Sequence, residues 1–126
     1  MPHIEKRGKG SIVYVSSIGG YQVLPAIGAY SISKTALLGL TKAIAAECAG
    51  NNIRVNCVCP GIIETKFSSA MTNNEGIKHE ILKTIPMHRI GQPEEIAGIV
   101  NFLCSDDSSY LTGESIAIAG GYFSRL

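Results

Sequence analysis

Concentrated positive charge is missing from this chain of 126 residues. Its eleven Lys and Arg are scattered and offset by ten Asp and Glu, for a net charge of +1. No basic face remains to neutralise nucleic-acid phosphates, so nucleic-acid binding is not expected. Long apolar runs are missing as well. Hydrophobic residues make up 45% of the chain, but Gly, Pro and charged residues interrupt them well short of the roughly 20 residues that a membrane span requires. The opening MPHIEKRGKG lacks the apolar stretch of a signal peptide, so secretion is not expected. Cys48, Cys57, Cys59 and Cys104 form no CxxC pair and have no His cluster at ligand spacing, which argues against a metal site. Reduced thiols suit an intracellular protein. A GxSxG elbow is absent and no His is placed as a serine hydrolase would need, so that class is disfavoured.

What is present reads as strand, helix, strand. The run GSIVYVSS, with Ile12, Val13, Tyr14 and Val15 at its centre, predicts a β-strand buried on both faces. From about Ala29 to Cys48 the period changes. Leu37, Leu40, Ile44 and Cys48 recur at helical spacing, while Leu38 and Ala45 add a second stripe, so the helix should be covered on more than one side. Gly50, Asn51 and Asn52 stop it before IRVNCV, residues 53–58, a second strand closed by Pro60 and Gly61. Cys57 and Cys59 alternate on that strand and so share a face, as small buried hydrophobes.

Residues 62–74 read as a polar loop, followed by a modest helix around Gly76 to Thr84. A stronger helix begins at Pro93, with Glu94 and Glu95 complementing its dipole and Ile96, Ile99, Val100 and Leu103 on one face. SIAIA, residues 115–119, reads as a third strand ending in Gly120 and Gly121. Alternating strands and helices imply parallel pairing through right-handed crossovers, hence an open α/β sheet. Sites in such sheets lie beyond the carboxyl ends of the strands. Ser16 and Ser17, Pro60 and Gly61, and Gly120 and Gly121 all fall there.

Tyr30 and Lys34 stand four residues apart on the first long helix, so both side chains lie on one face, one turn apart. An ammonium near a phenol favours the ionised form and makes the hydroxyl usable for proton transfer. Ser17, at the end of the preceding strand, could hold a carbonyl oxygen beside it. Such a pair also arises by chance on many helices, and its weight comes from context: a serine ending one strand, the pair on the next helix, then a strand closing with PGIIET.

These features resemble the short-chain dehydrogenase/reductase family. The resemblance rests on VSS ending at Ser17, the Tyr30-Ser-Ile-Ser-Lys34 pattern thirteen residues later, NIRVNCVCPGIIET at 52–65, and RIGQPEEIAGIVNFLCSDDSSYLTGE at 89–114, together nearly the whole chain. It implies the C-terminal part of a Rossmann-type doubly wound parallel sheet, about three strands with flanking helices. It also implies NADPH-dependent reduction of ketones, aldehydes or retinal. Tyr30 would give a proton to the carbonyl oxygen and Ser17 would orient that carbonyl. Tyr30 and Lys34 would both bind the cofactor, Lys34 at the nicotinamide ribose while also lowering the tyrosine pKa. Pro60 and Gly61 would shape the cofactor turn, and Ile63 and Thr65 would meet the nicotinamide carboxamide and the nearby phosphate. Ser16 is expected to be a strand-end residue and not a catalyst. The loop from Lys66 to Asn74 matches the segment that covers substrate, and His3, His79 and His88 match no motif of the family.

The family's glycine-rich turn, where helix-start N–H groups receive a pyrophosphate, has no counterpart here, because Gly8 and Gly10 precede a strand where the motif must follow one. The expectation is one partial domain over 1–126 without the N-terminal dinucleotide-binding half. Its first strand would be left as an open edge, and reductase activity by the chain alone would be slight or absent. A non-catalytic protein that joins full-length family members is the alternative. The terminal Ser124-Arg125-Leu126 resembles a peroxisomal address, against a cytoplasmic reading.

Overall fold

A computed structural model of the protein describes residues 2–23 and 27–122. The chain runs α1 (Pro2–Glu5), β1 (Gly10–Val15), α2 (Gly28–Cys48), β2 (Ile53–Pro60), α3 (Ser69–Thr72), α4 (Glu75–Thr84), α5 (Pro93–Cys104) and β3 (Ser115–Ile118). The three strands form a parallel sheet in the order β1-β2-β3. Its register pairs Gly10 with Ile53 and Val15 with Val58 on one side of β2, and Cys57 with Ser115 on the other. Both crossovers are helical, α2 for the first and α3 to α5 for the second. The α/β expectation therefore holds, with every strand within about a residue or two of its expected span. Among the described residues no helix is long and apolar enough to cross a membrane, and no group of His, Cys, Asp and Glu could hold a metal.

β2 is the centre of the molecule. Ile53, Val55, Cys57 and Cys59 are buried and alternate toward α2, where Ile53 and Val55 meet Ala45 and Cys48. The opposite face carries Arg54, Asn56 and Val58. Arg54 reaches past the end of α5 to the Ser108 hydroxyl at 2.8 Å and the Ser105 carbonyl at 2.9 Å. Asn56, fully buried, donates to the Leu111 carbonyl at 2.8 Å and accepts from the Glu114 N–H at 3.1 Å. A polar residue in the core thus ties down the chain that leads into β3.

Three expectations need correction. β1 is not buried on both faces: it is an edge strand, half-buried, and its last residue Val15 is 52% exposed because no strand lies beyond it among the described residues. On α2 the fully buried positions are Ser31, Thr41, Ala45 and Cys48, whereas Leu40 of the expected stripe is 41% exposed and Ile32 is 72% exposed. Small residues face the sheet because a 21-residue helix lying close on β2 leaves little room for large ones. The polar stretch 62–74 is not all loop, since it holds the single turn α3. The one-turn α1, which the sequence reading did not anticipate, lays Ile4 over Gly10, where any side chain would collide with it.

The expected helix start at Pro93 is correct, and Glu95 does more than complement the dipole. Its carboxylate accepts from the Gln92 N–H at 2.8 Å and forms a two-pronged ion pair with Arg89, at 2.7 and 2.5 Å. The Arg89 guanidinium holds its pKa down at about 2, with help from the Gln92 N–H. The unfolded carboxyl titrates near 4.5, so the bond contributes fully above that pH and is lost as pH falls toward 2. Urea midpoints should therefore decline from pH 5 to pH 2.5, and Glu95→Gln should flatten that decline. An unchanged slope in the variant would show that Glu95 does not set it.

Candidate functional site

The site is assembled where β1 ends. Ser16 is almost wholly buried, its N–H bonds the Val58 carbonyl at 2.8 Å, and its hydroxyl donates to the Lys34 carbonyl at 2.8 Å, so this strand end is bolted to α2. Ser17 is extended, with φ −167 and ψ 161, and its hydroxyl accepts from the Gly19 N–H at 3.0 Å, capping a 3-10 turn over Ile18–Gly20. That turn lies so close to α2 that a Cβ on Gly20 would stand 2.9 Å from both the Lys34 carbonyl and the Ser16 hydroxyl. Only glycine permits the approach. Thr35 closes the joint, donating to the Gly20 carbonyl at 2.8 Å.

Tyr30 and Lys34 project from this joint on one face of α2. The Lys34 ammonium lies 5.6 Å from the centre of the Tyr30 ring and donates to the Val15 carbonyl at 3.0 Å. The cation is therefore shared between an aromatic ring and the backbone of the edge strand. Ser17 follows Val15 by two residues in the chain, just past the end of β1.

The second group comes from the end of β2. Pro60 closes the strand. The Gly61 N–H bonds the Ile118 carbonyl at 2.9 Å, and a Cβ at Gly61 would lie 2.8 Å from Ala119, so β3 can pass only because residue 61 is glycine. Ile63 makes a parallel bridge with Gly91, which secures the following loop to the approach of α5. Thr65 donates its N–H to the Ser68 hydroxyl at 3.0 Å, and their side-chain oxygens lie 3.3 Å apart, while Ser68 also donates to the Ile63 carbonyl at 2.6 Å. Buried Ser68 therefore closes the turn from Ile63 to Ser68.

Phe67 joins the two groups. Its ring stacks on Tyr30, with centres 6.0 Å apart and planes 26° from parallel, yet it is 77% exposed. Sequence reasoning missed both Phe67 and Ser68. One signal was available: Phe67 is the only aromatic residue in IIETKFSSAMTNN. Beneath the joint, the sulfurs of Cys57 and Cys59 lie 4.0 Å apart. Their mutual hydrogen bond pulls the Cys57 thiol down to about 7 and pushes Cys59 up, which burial reinforces. Both are buried, as expected, whereas Cys104 is exposed. His3, His79 and His88 are exposed and distant from these residues in the chain.

With these residues in place the chain can be compared with known proteins. Residues 1–123 match the family model described as enoyl-(acyl carrier protein) reductase. Dehydrogenase/reductase SDR family member 4 of Bos taurus is 53% identical over the whole chain, which covers 45% of that relative. A Thermus thermophilus protein of known crystal structure superimposes with a TM-score of 0.92 at 41% identity, over 96% of this chain and 52% of that one. The crystal structure of a gluconate 5-dehydrogenase from Burkholderia cenocepacia, in complex with NADP and tartrate, superimposes with a TM-score of 0.93 at 30% identity, over 96% and 48%. The chain spans about half the length of these relatives.

Proposed function

The chain belongs to the short-chain dehydrogenase/reductase family of oxidoreductases, and on that premise we propose that it carries the proton-transfer half of an NADPH-dependent reduction of ketones, aldehydes or retinal. The observation that carries this reading is the Lys34 ammonium 5.6 Å from the Tyr30 ring, at the strand end that holds Ser17. The Tyr30 hydroxyl gives a proton to the carbonyl oxygen of the substrate, and the Ser17 hydroxyl holds that oxygen in place. Phe67 stacks against one face of the tyrosine ring.

The groups present suit the nicotinamide end of a dinucleotide: a lysine for ribose hydroxyls, the turn through Pro60 and Gly61 that brings the Ile63 backbone to the carboxamide, and the Thr65 hydroxyl and N–H for a phosphate oxygen. When bound, that cofactor supplies hydride to the carbonyl carbon. Thr65 is engaged by Ser68 and Lys34 by Val15, so both exchange a partner within the chain for one on the ligand. The sequence provides no glycine-rich turn for the pyrophosphate. We therefore read residues 1–126 as a partial domain that lacks the N-terminal dinucleotide-binding half. The Ser124-Arg125-Leu126 tail, outside the described residues, we read as a peroxisomal address.

Exposed Ile32 and Leu40 on α2 favour a second reading as a non-catalytic partner of full-length relatives. Two measurements separate these readings. Titration with NADPH followed by nucleotide fluorescence, and co-purification with the full-length Bos taurus relative, should give binding without co-purification for the catalytic reading. Co-purification without nucleotide binding would overturn it.

A further inference from the structure

Proton transfer at Tyr30 makes no use of the two thiols beneath the strand end. Cys57 and Cys59 share one face of β2, both wholly buried and free, with their sulfurs 4.0 Å apart. The hydrogen bond from Cys59 holds the Cys57 thiol below its ordinary range, and the Ser16 backbone, the Thr41 hydroxyl and the Lys34 cation act in the same direction against burial. At a value of about 7, roughly half of Cys57 is thiolate at neutral pH, against a few per cent of a free cysteine. A thiolate beside a second thiol is the arrangement that an oxidant converts to a disulfide, because the first sulfur attacks and the second resolves. The backbone between them belongs to the candidate site. The Val58 carbonyl receives the Ser16 N–H at 2.8 Å, and the Ser16 hydroxyl holds the Lys34 carbonyl at 2.8 Å.

We propose that Cys57 and Cys59 form an oxidation site for hydroperoxides, and that the disulfide made there releases Ser16 from β2. With hydrogen peroxide, the Cys57 thiolate attacks one oxygen and breaks the O–O bond, giving a sulfenic acid and hydroxide, which takes up the proton that Cys57 had lost. The Cys59 sulfur then displaces the sulfenic oxygen, which leaves as a second water with the Cys59 proton. Two thiols lose two electrons and two protons, and peroxide is reduced to two waters. Burial sets the rate of this reaction, since peroxide reaches the pair through local openings of the strand end. The sulfurs must close from 4.0 Å to the bonding distance of about 2 Å. Both side chains leave the same face of an extended strand, so closure buckles the backbone at Val58 and pulls its carbonyl from Ser16. A disulfide that distorts its surroundings is easily reduced, which makes the change reversible.

The test is mass spectrometry of the unsubstituted chain, treated with hydrogen peroxide at pH 7, quenched, unfolded in N-ethylmaleimide and cut with trypsin. Cleavage after Lys42, Arg54 and Lys66 places Cys48 on residues 43–54 and both members of the pair on 55–66. Cys48 is the internal standard, since it too is buried, in the apolar core with Ala45, Ile53 and Val55. The 55–66 peptide should lose two hydrogens and take up no maleimide, about tenfold faster than Cys48 is oxidised. Dithiothreitol before alkylation should restore both thiols. Two alkylated cysteines on 55–66 when Cys48 is already oxidised would overturn the site, and so would added oxygen on that peptide in place of lost hydrogen. Hydrogen exchange followed by NMR reads the coupling: the Ser16 N–H should exchange at least about tenfold faster in the oxidised chain, as loss of one hydrogen bond allows. Equal exchange before and after oxidation would overturn the release of Ser16.

Discussion

Tyr30→Phe is expected to lower carbonyl reduction by about 10²–10⁴-fold, the range that a positioned general acid supplies. The substitution removes one oxygen and leaves the Phe67 stack and the nearby Lys34 cation in place, so the loss reports proton transfer and not packing. The chain alone is expected to turn over little or nothing, because the sequence offers no pyrophosphate turn. The comparison therefore belongs in a chimera that joins this chain to the part of the Bos taurus relative outside the match, more than half of its length. Turnover should appear in the chimera with Tyr30 and disappear with Phe at that position, while NADPH affinity changes by less than about threefold, since a phenol contributes little to uniform binding. Undiminished turnover in the Tyr30→Phe chimera would remove Tyr30 from the chemistry. A chimera that binds NADPH without turnover, even with Tyr30, would remove the whole constellation.

The sequence revealed the order of the elements well and their exposure poorly. β2 was legible as a strand because a β-prone run lies between the turn residues Gly50, Asn51 and Asn52 and the closing Pro60 and Gly61. β1 carries the same kind of run, and periodicity cannot distinguish a central strand from one at an edge, since that depends on chain elsewhere in the sheet. The family resemblance, and not the pattern, foresaw the open edge. On α2 the hydrophobic stripes misled for a related reason. Close approach to the sheet selects small residues such as Ser31, Thr41 and Ala45, which score weakly in any apolar count.

At the candidate site, Tyr30 and Lys34 were legible because helical spacing fixes their relation. The contact between Lys34 and Val15 was not, because it runs from side chain to backbone across elements. Phe67 was also hidden, since its place over Tyr30 depends on the turn closed by Ser68 and not on spacing from any other residue of the site.

Asn56 carries the largest expected effect on stability. It is fully buried on the central strand, and both ends of its amide are in use, toward the Leu111 carbonyl and the Glu114 N–H. Alanine there would leave one acceptor and one donor in the interior without water, at about 1–3 kcal/mol for each. The sum, about 2–6 kcal/mol, is a large share of the roughly 5–15 kcal/mol that holds a typical domain together. Urea unfolding of Asn56→Ala should show a correspondingly lower midpoint with an unchanged slope. Asn56→Asp distinguishes hydrogen bonding from lost volume. It keeps the acceptor for Glu114 but sets a second oxygen against the Leu111 carbonyl and places a charge in the core. Burial should raise the pKa of that new carboxyl, so the variant should lose stability as pH rises through the raised value and recover some of it in acid, where the protonated group can donate to Leu111. A variant whose stability relative to the unsubstituted chain did not change with pH would show that the amide acts here as filler and not as the tie between β2 and the approach to β3.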